Sequence, residues 1–465
     1  MATTTPATDP TAGDPTATDH TALRRALGLG GLTLFGLAYL VPLTVFTTYG
    51  IVTETTGGRV ALAYLFTLAA MAVTAVSYAR MVRAHPVAGS AYTYTRRTFG
   101  APAGFLTGWA LLLDYLFLPM INHLVIGIYL NAAVPGVPLW AWVLVSLALV
   151  TVLNLLGITS IARASTVIVA AQVVFVVVFV LLAVRGLAGA DVSLAAPFAG
   201  DGSVAGLAPV LAGAAVLCLS FLGFDAVSTM AEEARRPRVD IPRAILLVTV
   251  LGGVLFVLLS WLAQVAVPAT TFPDADAAAV DVMTEVGGTG LSAFFTAAYV
   301  AGAFGSALTS QASVCRILFS MGRDGVLPRV LGRVWERRRT PAVSVLVVTV
   351  ASLLVLVLDL ATLASLISFG ALIAFTAVNV AVVKHYWVDE KERGPRAVLL
   401  SLVLPLVGVA LTVWLWTSLS GATLLVGLAW LAVGALWLLW VSRGFRRPLP
   451  ESSMDEHAVR EDVSA

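Results

Sequence analysis

A series of twelve apolar stretches constrains this chain more than any other feature, since each is close to the roughly 20 residues that a helix needs to cross a bilayer. Apolar residues make up 59% of the sequence and charged residues only 12%, too few for the surface of a soluble fold. This composition excludes a cytosolic enzyme, a secreted domain and a disordered chain. We therefore expect an all-α polytopic membrane protein with twelve transmembrane helices. The stretches cover approximately 27–53, 60–82, 102–130, 138–157, 163–185, 207–231, 242–267, 289–315, 342–358, 361–383, 397–419 and 421–441.

The charged residues predict the orientation of these spans. With the N-terminus placed inside, only Arg59 and Arg185 of the 28 lysine and arginine residues fall outside. The outer loops are acidic, with Glu54, Asp191, Asp201, Asp274, Asp276, Asp281, Glu285 and Asp359. Such a bias predicts a multi-pass protein of a cell membrane with both termini cytoplasmic. Residues 1–22 and 442–465 are polar and predict cytoplasmic tails around a transporter domain at 23–441, the first tail being disordered.

Two spans contain helix breakers near their middle. Pro42 interrupts the first span and removes one backbone hydrogen bond. Gly223 and Asp225 interrupt the sixth. A proline kink and a packing glycine would explain either one alone. Because span 1 opens a first set of five spans and span 6 opens a second, the matching positions favour a transporter with inverted repeats and a binding site at the breaks.

Asp114 in span 3 and Asp225 in span 6 are the clearest ionisable residues deep in the membrane. Each carboxyl costs about 2.5–3.5 kcal/mol on insertion scales, so we expect each to have a function. Tyr115 adds a ring beside Asp114, and a carboxylate next to a ring suits a cation. A hydrogen bond between helices from a protonated aspartate is the structural alternative. Glu232 and Glu233 follow span 6 and are candidates for an inner gate, or else a solvated pair.

Motifs for other functions are absent from the sequence. It contains no phosphate-binding loop for ATP, no zinc-protease motif and no serine-hydrolase elbow. A net charge of +2 offers no overall field for nucleic acid, and no metal site or cofactor is predicted. Transport energy would therefore come from an ion gradient or from exchange.

Three stretches resemble the amino acid–polyamine–organocation permeases. They are Pro86 to Tyr94, Ser220 to Asp225 with Glu232-Glu233 and Ile241-Pro242, and Met321 to Pro328. The resemblance spans nearly the whole chain. It implies the LeuT-like fold of this superfamily: a five-plus-five inverted repeat with broken helices 1 and 6, followed by two extra helices. The repeats would cover about 27–185 and 207–383, and the extra helices about 397–441.

Within that superfamily, Asp114 to Asn122, Gly36 to Leu40 and Ser220 to Val227 are similar to the matching segments of bacterial putrescine importers. This similarity implies a diamine substrate. Asp114 and Asp225 would bind its two ammonium groups. The walls of the site would be shaped by Tyr115, Tyr39 and Phe224, and Thr44 would face it from the half-helix.

Two departures from the superfamily pattern bear on substrate and coupling. Many amino acid permeases have glycines at the first break, where bare amides hold the substrate carboxylate, whereas Pro42 has no N–H to donate. Gln172 stands where some members carry a lysine that replaces a bound sodium ion. The proton carrier would then be Asp225 first, or Asp114. Sodium coupling through hydroxyls of span 8 (Ser306, Thr309 and Ser310) stays open.

We therefore expect a secondary transporter of a bacterial inner membrane that imports a small organic cation, putrescine first, by proton symport. A proton-coupled amino acid permease is the main alternative, and a diamine–amino acid exchanger the next. An ion channel is disfavoured because isolated acids form a site rather than a ring-lined pore. A membrane enzyme is disfavoured because no nucleophile–base pair or metal cluster occurs in the spans. The sequence does not determine the oligomeric state.

Overall fold

A computed structural model describes residues 27–86, 90–156, 161–188, 193–231, 233–323, 327–333 and 340–443. Tail 1–22 and Glu232 lie outside these ranges, as do parts of the first and third family stretches. The α-helices within the described ranges are α1 (Leu29–Leu40), α2 (Tyr49–Thr56), α3 (Val60–Ala84), α4 (Ser90–Phe99), α5 (Ala101–Ala133), α6 (Leu139–Leu156), α7 (Ile161–Leu187), α8 (Ala196–Ala199), α9 (Ala208–Leu217), α10 (Pro237–Ala266), α11 (Ala278–Arg323), α12 (Ala342–Ser352), α13 (Leu360–Val382), α14 (Pro395–Ala397), α15 (Leu404–Thr417) and α16 (Gly421–Val441).

The apolar helices agree with a polytopic membrane protein. In the described part of the chain, 11 helical segments are long and apolar enough to cross a bilayer. The ninth predicted span is a shorter apolar helix, Ala342–Leu356. The eighth begins after a kink inside α11, where Gly288 has a φ of 68°. The prediction of an all-helical membrane fold is confirmed, while the number of twelve stays a prediction.

The outer faces of several helices are apolar and exposed. Examples are Leu181 on α7, Leu258 on α10 and Leu436 on α16, at 65%, 55% and 66% exposure. Exposed leucines in such numbers are unfavourable in water and favourable against lipid tails. These faces therefore lie against the bilayer.

The buried helices form two groups around the centre of the molecule. In the first group, α3 packs against α9 and α10, and α10 packs against α1. In the second group, α11 packs against α5, α6 and α7. Helix α13 touches both α3 and α5 and so joins the groups. The two breaks belong to the first group, and the long α5, about 50 Å at 1.5 Å per residue, belongs to the second.

The chemistry of the loops distinguishes the two ends of the helix bundle. One end, called the basic end, carries Arg80, Arg83, Arg96, Arg97, Arg235, Arg236, Arg329, Arg333, Arg393 and Arg396. The opposite end, called the acidic end, carries Glu54, Asp201, Asp274, Asp276 and Asp359.

Candidate functional site

The backbone of the first span is interrupted at Val41. Helix α1 ends at Leu40, Val41 has a φ of 52°, and a 3-10 turn follows at Pro42–Phe46. Because a left-handed β-branched residue is costly, the surrounding packing must hold this conformation in place. The Thr44 hydroxyl donates to the Leu40 carbonyl at 2.9 Å and so pairs a carbonyl that the break would otherwise leave free.

The sixth span is interrupted over residues 222–225. A 3-10 turn at Cys218–Phe221 ends before this stretch, and another begins at Ala226. Gly223 has a φ of 131°, a conformation that side chains avoid. A Cβ at Gly223 would lie 2.9 Å from Cδ1 of Tyr39 and 3.0 Å from the Leu40 nitrogen. The two breaks therefore meet, and glycine permits the contact.

A cavity of about 650 Å³ lies beside the meeting point of the breaks. This volume is within the usual range of small-molecule sites, about 300–1,000 Å³. The first break contributes Tyr39, Val41 and Thr44 to its wall, and the second contributes Leu222 and Ala226. Helices α5, α7 and α11 supply the opposite wall, with the polar side chains Tyr115, Asn122, Gln172, Tyr299, Ser306, Thr309, Ser310 and Ser313.

The opposite wall is held in place by a bond between helices. The Asn122 amide donates to Ser306 Oγ at 3.0 Å and to the Leu118 carbonyl at 2.8 Å. Pro119 inside α5 removes the N–H that would pair with the Tyr115 carbonyl. The wall combines these polar groups with apolar side chains such as Ile121 and Val125, and the cavity offers hydroxyls and aromatic rings to a ligand.

Asp114 on α5 and Asp225 in the second break are buried acids outside the lining of the cavity. Their exposed fractions are 5% and 6%, and neither carboxyl lines the cavity. The two carboxyl groups interact electrostatically with each other and with the hydroxyls of Tyr39 and Tyr115. Asp225 Oδ1 also accepts a hydrogen bond from the Gly223 N–H at 3.1 Å. Tyr39 and Tyr115 therefore line the cavity and also interact with both acids, which do not line it.

The acidic end of the cavity is closed by an aromatic plug, which we define as Phe46, Tyr129, Phe179, Phe295 and Tyr299. The five rings are nearly buried and contact one another, with Tyr129 and Tyr299 centroids 4.8 Å apart. The hydroxyls of Thr47 and Tyr299 form a hydrogen bond between the two helix groups, and Tyr129 donates to the Phe46 carbonyl at 3.0 Å. The cavity instead extends toward the basic end, where Phe35, Met230 and Ile317 line it.

The sequence of the chain was compared with known protein families and proteins. The family described as amino acid permease matches residues 31–441. The chain is 39% identical over 441 residues to the low-affinity putrescine importer PlaP of Escherichia coli (strain K12), covering 92% of this chain and 96% of that protein.

The chain belongs to the amino acid permease family. Two more distant relatives from Bacillus subtilis (strain 168) differ in what they carry. The branched-chain amino acid permease BcaP and the methylthioribose transporter are each 28% identical, and each alignment covers 90% of this chain and 94% of the relative. These relatives are transporters and not enzymes. The chain is accordingly a multi-pass transporter of this family.

At the basic end of this permease, backbone hydrogen bonds join the start of the first span to the segment after the second break. The Leu27 N–H donates to the Glu233 carbonyl at 3.0 Å, and the Arg235 N–H donates to the Leu27 carbonyl at 2.9 Å. The segment after the second break is thus bonded to the start of α1. Glu233, one of the two gate candidates, lies in this pairing, whereas Glu232 is outside the described residues.

The structure separates the predicted site residues into two sets. Tyr39, Thr44 and Tyr115 line the cavity. Phe224 does not, because it is fully buried against Tyr78 and Phe375. The roles of all these residues in binding, and of Asp114 and Asp225, stay predictions.

The sequence patterns did not predict the aromatic plug. Its rings come from four separate segments, and Thr47 and Tyr299 are 252 positions apart. Spacing along one helix cannot reveal such a pairing. The clustering of Phe294, Phe295 and Tyr299 in one span was the available signal.

Proposed function

We propose that this permease imports putrescine, or a diamine of similar length, across a bacterial inner membrane. The N-terminus would be cytoplasmic, so that the basic end faces the cytoplasm. The observation that carries the proposal is the pair of buried acids at the meeting point of the breaks, in a chain 39% identical to a putrescine importer. Two carboxylates bordered by rings match a substrate with one ammonium at each end and methylenes between.

Asp114 and Asp225 would each bind one ammonium group, with Tyr39, Tyr115 and Phe224 shaping the site and Thr44 facing it. In the present conformation Tyr39 and Tyr115 line the cavity and neither carboxyl does. This arrangement suits a state that is open to the cytoplasm and has released its substrate. Movement of the first helix group against the second would carry both breaks and rearrange these tyrosines.

We propose proton coupling, with Asp225 as the first candidate carrier and Asp114 as the second. Gln172 lies in the cavity wall and does not titrate, so it cannot replace a coupling ion. Sodium coupling would need oxygens of α11. The Ser310 hydroxyl already donates to the Ser306 carbonyl at 2.6 Å, which leaves its lone pairs as acceptors. Glu232 and Glu233 would form part of the inner gate.

A proton-coupled amino acid permease is the second candidate, favoured by the likeness to BcaP. The first break argues against it. Pro42 has no N–H, and the Val41 and Thr44 N–H groups already donate to the carbonyls of Ala38 and Val41, at 3.3 and 2.8 Å. Few amides therefore remain there to hold a carboxylate.

Uptake of labelled putrescine into proteoliposomes, with and without an inward proton gradient, tests the proposal. We expect saturable uptake that the gradient increases, that unlabelled diamines block and that amino acids do not. A matched series with a sodium gradient assigns the coupling ion. Uptake of a branched-chain amino acid in place of putrescine would reject the diamine proposal.

A further inference from the structure

A second cavity lies at the basic end, away from the central site. Its volume is about 510 Å³, and it lies between the last turn of α3 and the connection from α13 to α15. We call it the arginine pocket. Its lining residues are Arg80, Arg83, Tyr386, Glu392, Arg393, Arg396, Ala397 and Leu400.

The arginine pocket carries an excess of positive charge. It contains four guanidinium groups and one carboxylate, Glu392. Arg80 pairs with Glu392 at 2.8 Å, and Ser401 also donates to this carboxylate at 3.0 Å. One acid therefore offsets one of four positive charges. An anion is the ligand that this charge distribution favours.

Arg80 lines the pocket and has one unsatisfied donor. Its side chain is only 14% exposed, and its Nε is buried without a hydrogen-bond partner among the described residues. The guanidinium stacks on the Tyr386 ring, 3.9 Å from its centroid. A buried N–H of this kind needs an acceptor. Planar guanidinium groups that are already oriented by rings suit the oxygens of a phosphate ester.

The backbone around the arginine pocket is irregular on both sides. Segments Val383–Asp389 and Val398–Val403 are π-helical. Such segments are rare and occur often at functional sites. Tyr386 belongs to the first of these segments and Leu400 to the second, and both line the pocket.

An apolar path leads from the arginine pocket into the bilayer. Leu400 lines the pocket, and Leu399, Val403 and Leu406 beside it are 51%, 43% and 49% exposed. Leu399 and Val403 lie about one turn apart in the π-helical segment and Leu406 follows in α15, so the three side chains form one exposed apolar face. A free phosphate ester would not use this face, whereas the acyl chains of a lipid would cover it.

We propose that the arginine pocket binds the phosphate headgroup of an anionic membrane lipid, whose acyl chains lie along the Leu399–Val403–Leu406 face. Basic pockets between helices at one membrane surface recognise headgroups in this way. The lipid would bind where α3 of the first helix group meets the connection after α13. It would therefore contact an element that moves with the breaks.

Binding of phosphatidylglycerol to the full chain in detergent, measured by native mass spectrometry, tests this proposal. The test variant is the double substitution R83A/R396A, since both side chains are exposed. The matched control is R329A/R333A, which removes the same charge from the same end outside the pocket. Phosphatidylethanolamine and glycerol 3-phosphate serve as the zwitterionic lipid and the soluble ester.

We expect phosphatidylglycerol to bind more tightly than either comparison ligand. R83A/R396A should weaken it about 30-fold, since each arginine near a membrane surface contributes about a factor of five. R329A/R333A should bind as the unmodified chain does. Equal binding of both lipids, equal loss in the two double variants, or equal binding of glycerol 3-phosphate would overturn the proposal. Binding only after removal of residues 444–465 would also overturn it, since the tail would then be the occupant.

Discussion

The hydrogen bond between Thr47 and Tyr299 gives the sharpest test of how this permease changes conformation. It joins the first break to α11 and so connects the two helix groups at the acidic end of the cavity. Both side chains are nearly buried, at 5% and 6% exposure. The substitution Tyr299→Phe removes one hydroxyl and keeps the ring of the aromatic plug.

The expected size of the effect follows from the bond that is lost. A typical net hydrogen bond contributes about 0.5–1.5 kcal/mol, so a loss of about 1 kcal/mol changes the ratio of closed to open plugs about fivefold. The Thr47→Val variant should cause a similar change. The double variant should add little to either single one, because both remove the same bond.

Accessibility of a single cysteine to a membrane-impermeant maleimide measures this ratio. The substitution Ala312→Cys, in a chain with Cys218 and Cys315 replaced by alanine, places the reporter on the cavity wall. It lies about 20 Å along α11 from Tyr299 toward the basic end. We expect labelling from the acidic side to become about fivefold faster with Tyr299→Phe, and labelling from the basic side to slow slightly.

The matched control is Tyr64→Phe. The Tyr64 hydroxyl bonds to Ser220 Oγ at 3.0 Å, but both residues belong to the first helix group. Its loss should leave labelling from the acidic side unchanged. If Tyr299→Phe leaves this labelling unchanged, or if Tyr64→Phe raises it equally, the two-group account of the plug is refuted.

Two further predictions concern the second break and the acidic end. Gly223→Ala should reduce putrescine uptake at least about tenfold, because a Cβ would clash with Tyr39 and Leu40 and the backbone strain alone is about 1–3 kcal/mol. The control Gly202→Ala should keep uptake, since Gly202 also has a positive φ, of 80°, but a Cβ there would have no atom within 4 Å. Equal losses of uptake in the two variants would refute the contact argument. Burial and the neighbouring Asp274, Asp359 and Glu54 raise the pKa of Asp276 to about 6. The folded state therefore binds the proton of the Asp276 carboxyl more tightly than the unfolded state does, and folding stability falls as the pH rises from about 4 through 6. The melting temperature in detergent should therefore be higher at pH 5 than at pH 7.5, and Asp276→Asn should reduce this difference. The control Asp201→Asn should not reduce it, since hydrogen bonds from Ser203 lower the pKa of Asp201 to about 2. An unchanged difference in melting temperature in Asp276→Asn would contradict this assignment.

The sequence was informative where local chemistry determines structure. Hydropathy predicts the helices because every backbone group in a bilayer must be paired within its own segment. The backbone is irregular at Val41 and Gly223, beside the Pro42 and Asp225 from which the sequence predicts interruptions, while the broken helices of the inverted repeat stay a prediction. Both features depend on neighbouring residues in the chain alone.

The arrangement of the site depends on contacts between distant segments. The sequence places Asp114 beside Tyr115 but does not show that Tyr115 lines the cavity and Asp114 does not. A rotation of 100° between successive helix residues separates the two. The arginine pocket likewise combines α3 with a connection more than 300 positions later, as in the Arg80–Glu392 pair, which is separated by 312 positions.

The central claim is that each of two carboxylates binds one end of a diamine. Competition between putrescine and n-butylamine for binding to the purified permease tests it most directly, in the unmodified chain and in Asp114→Asn and Asp225→Asn. Asp240→Asn is the matched control, since Asp240 is a buried acid, 2% exposed, that pairs with Arg236 outside the cavity.

We expect the unmodified chain to prefer putrescine by about 30-fold, the equivalent of one charged hydrogen-bonding contact of about 2 kcal/mol. Asp114→Asn and Asp225→Asn should each lose most of this preference, and Asp240→Asn should keep it. A preference that survives in both Asp114→Asn and Asp225→Asn, or that disappears equally in Asp240→Asn, would contradict the two-carboxylate site.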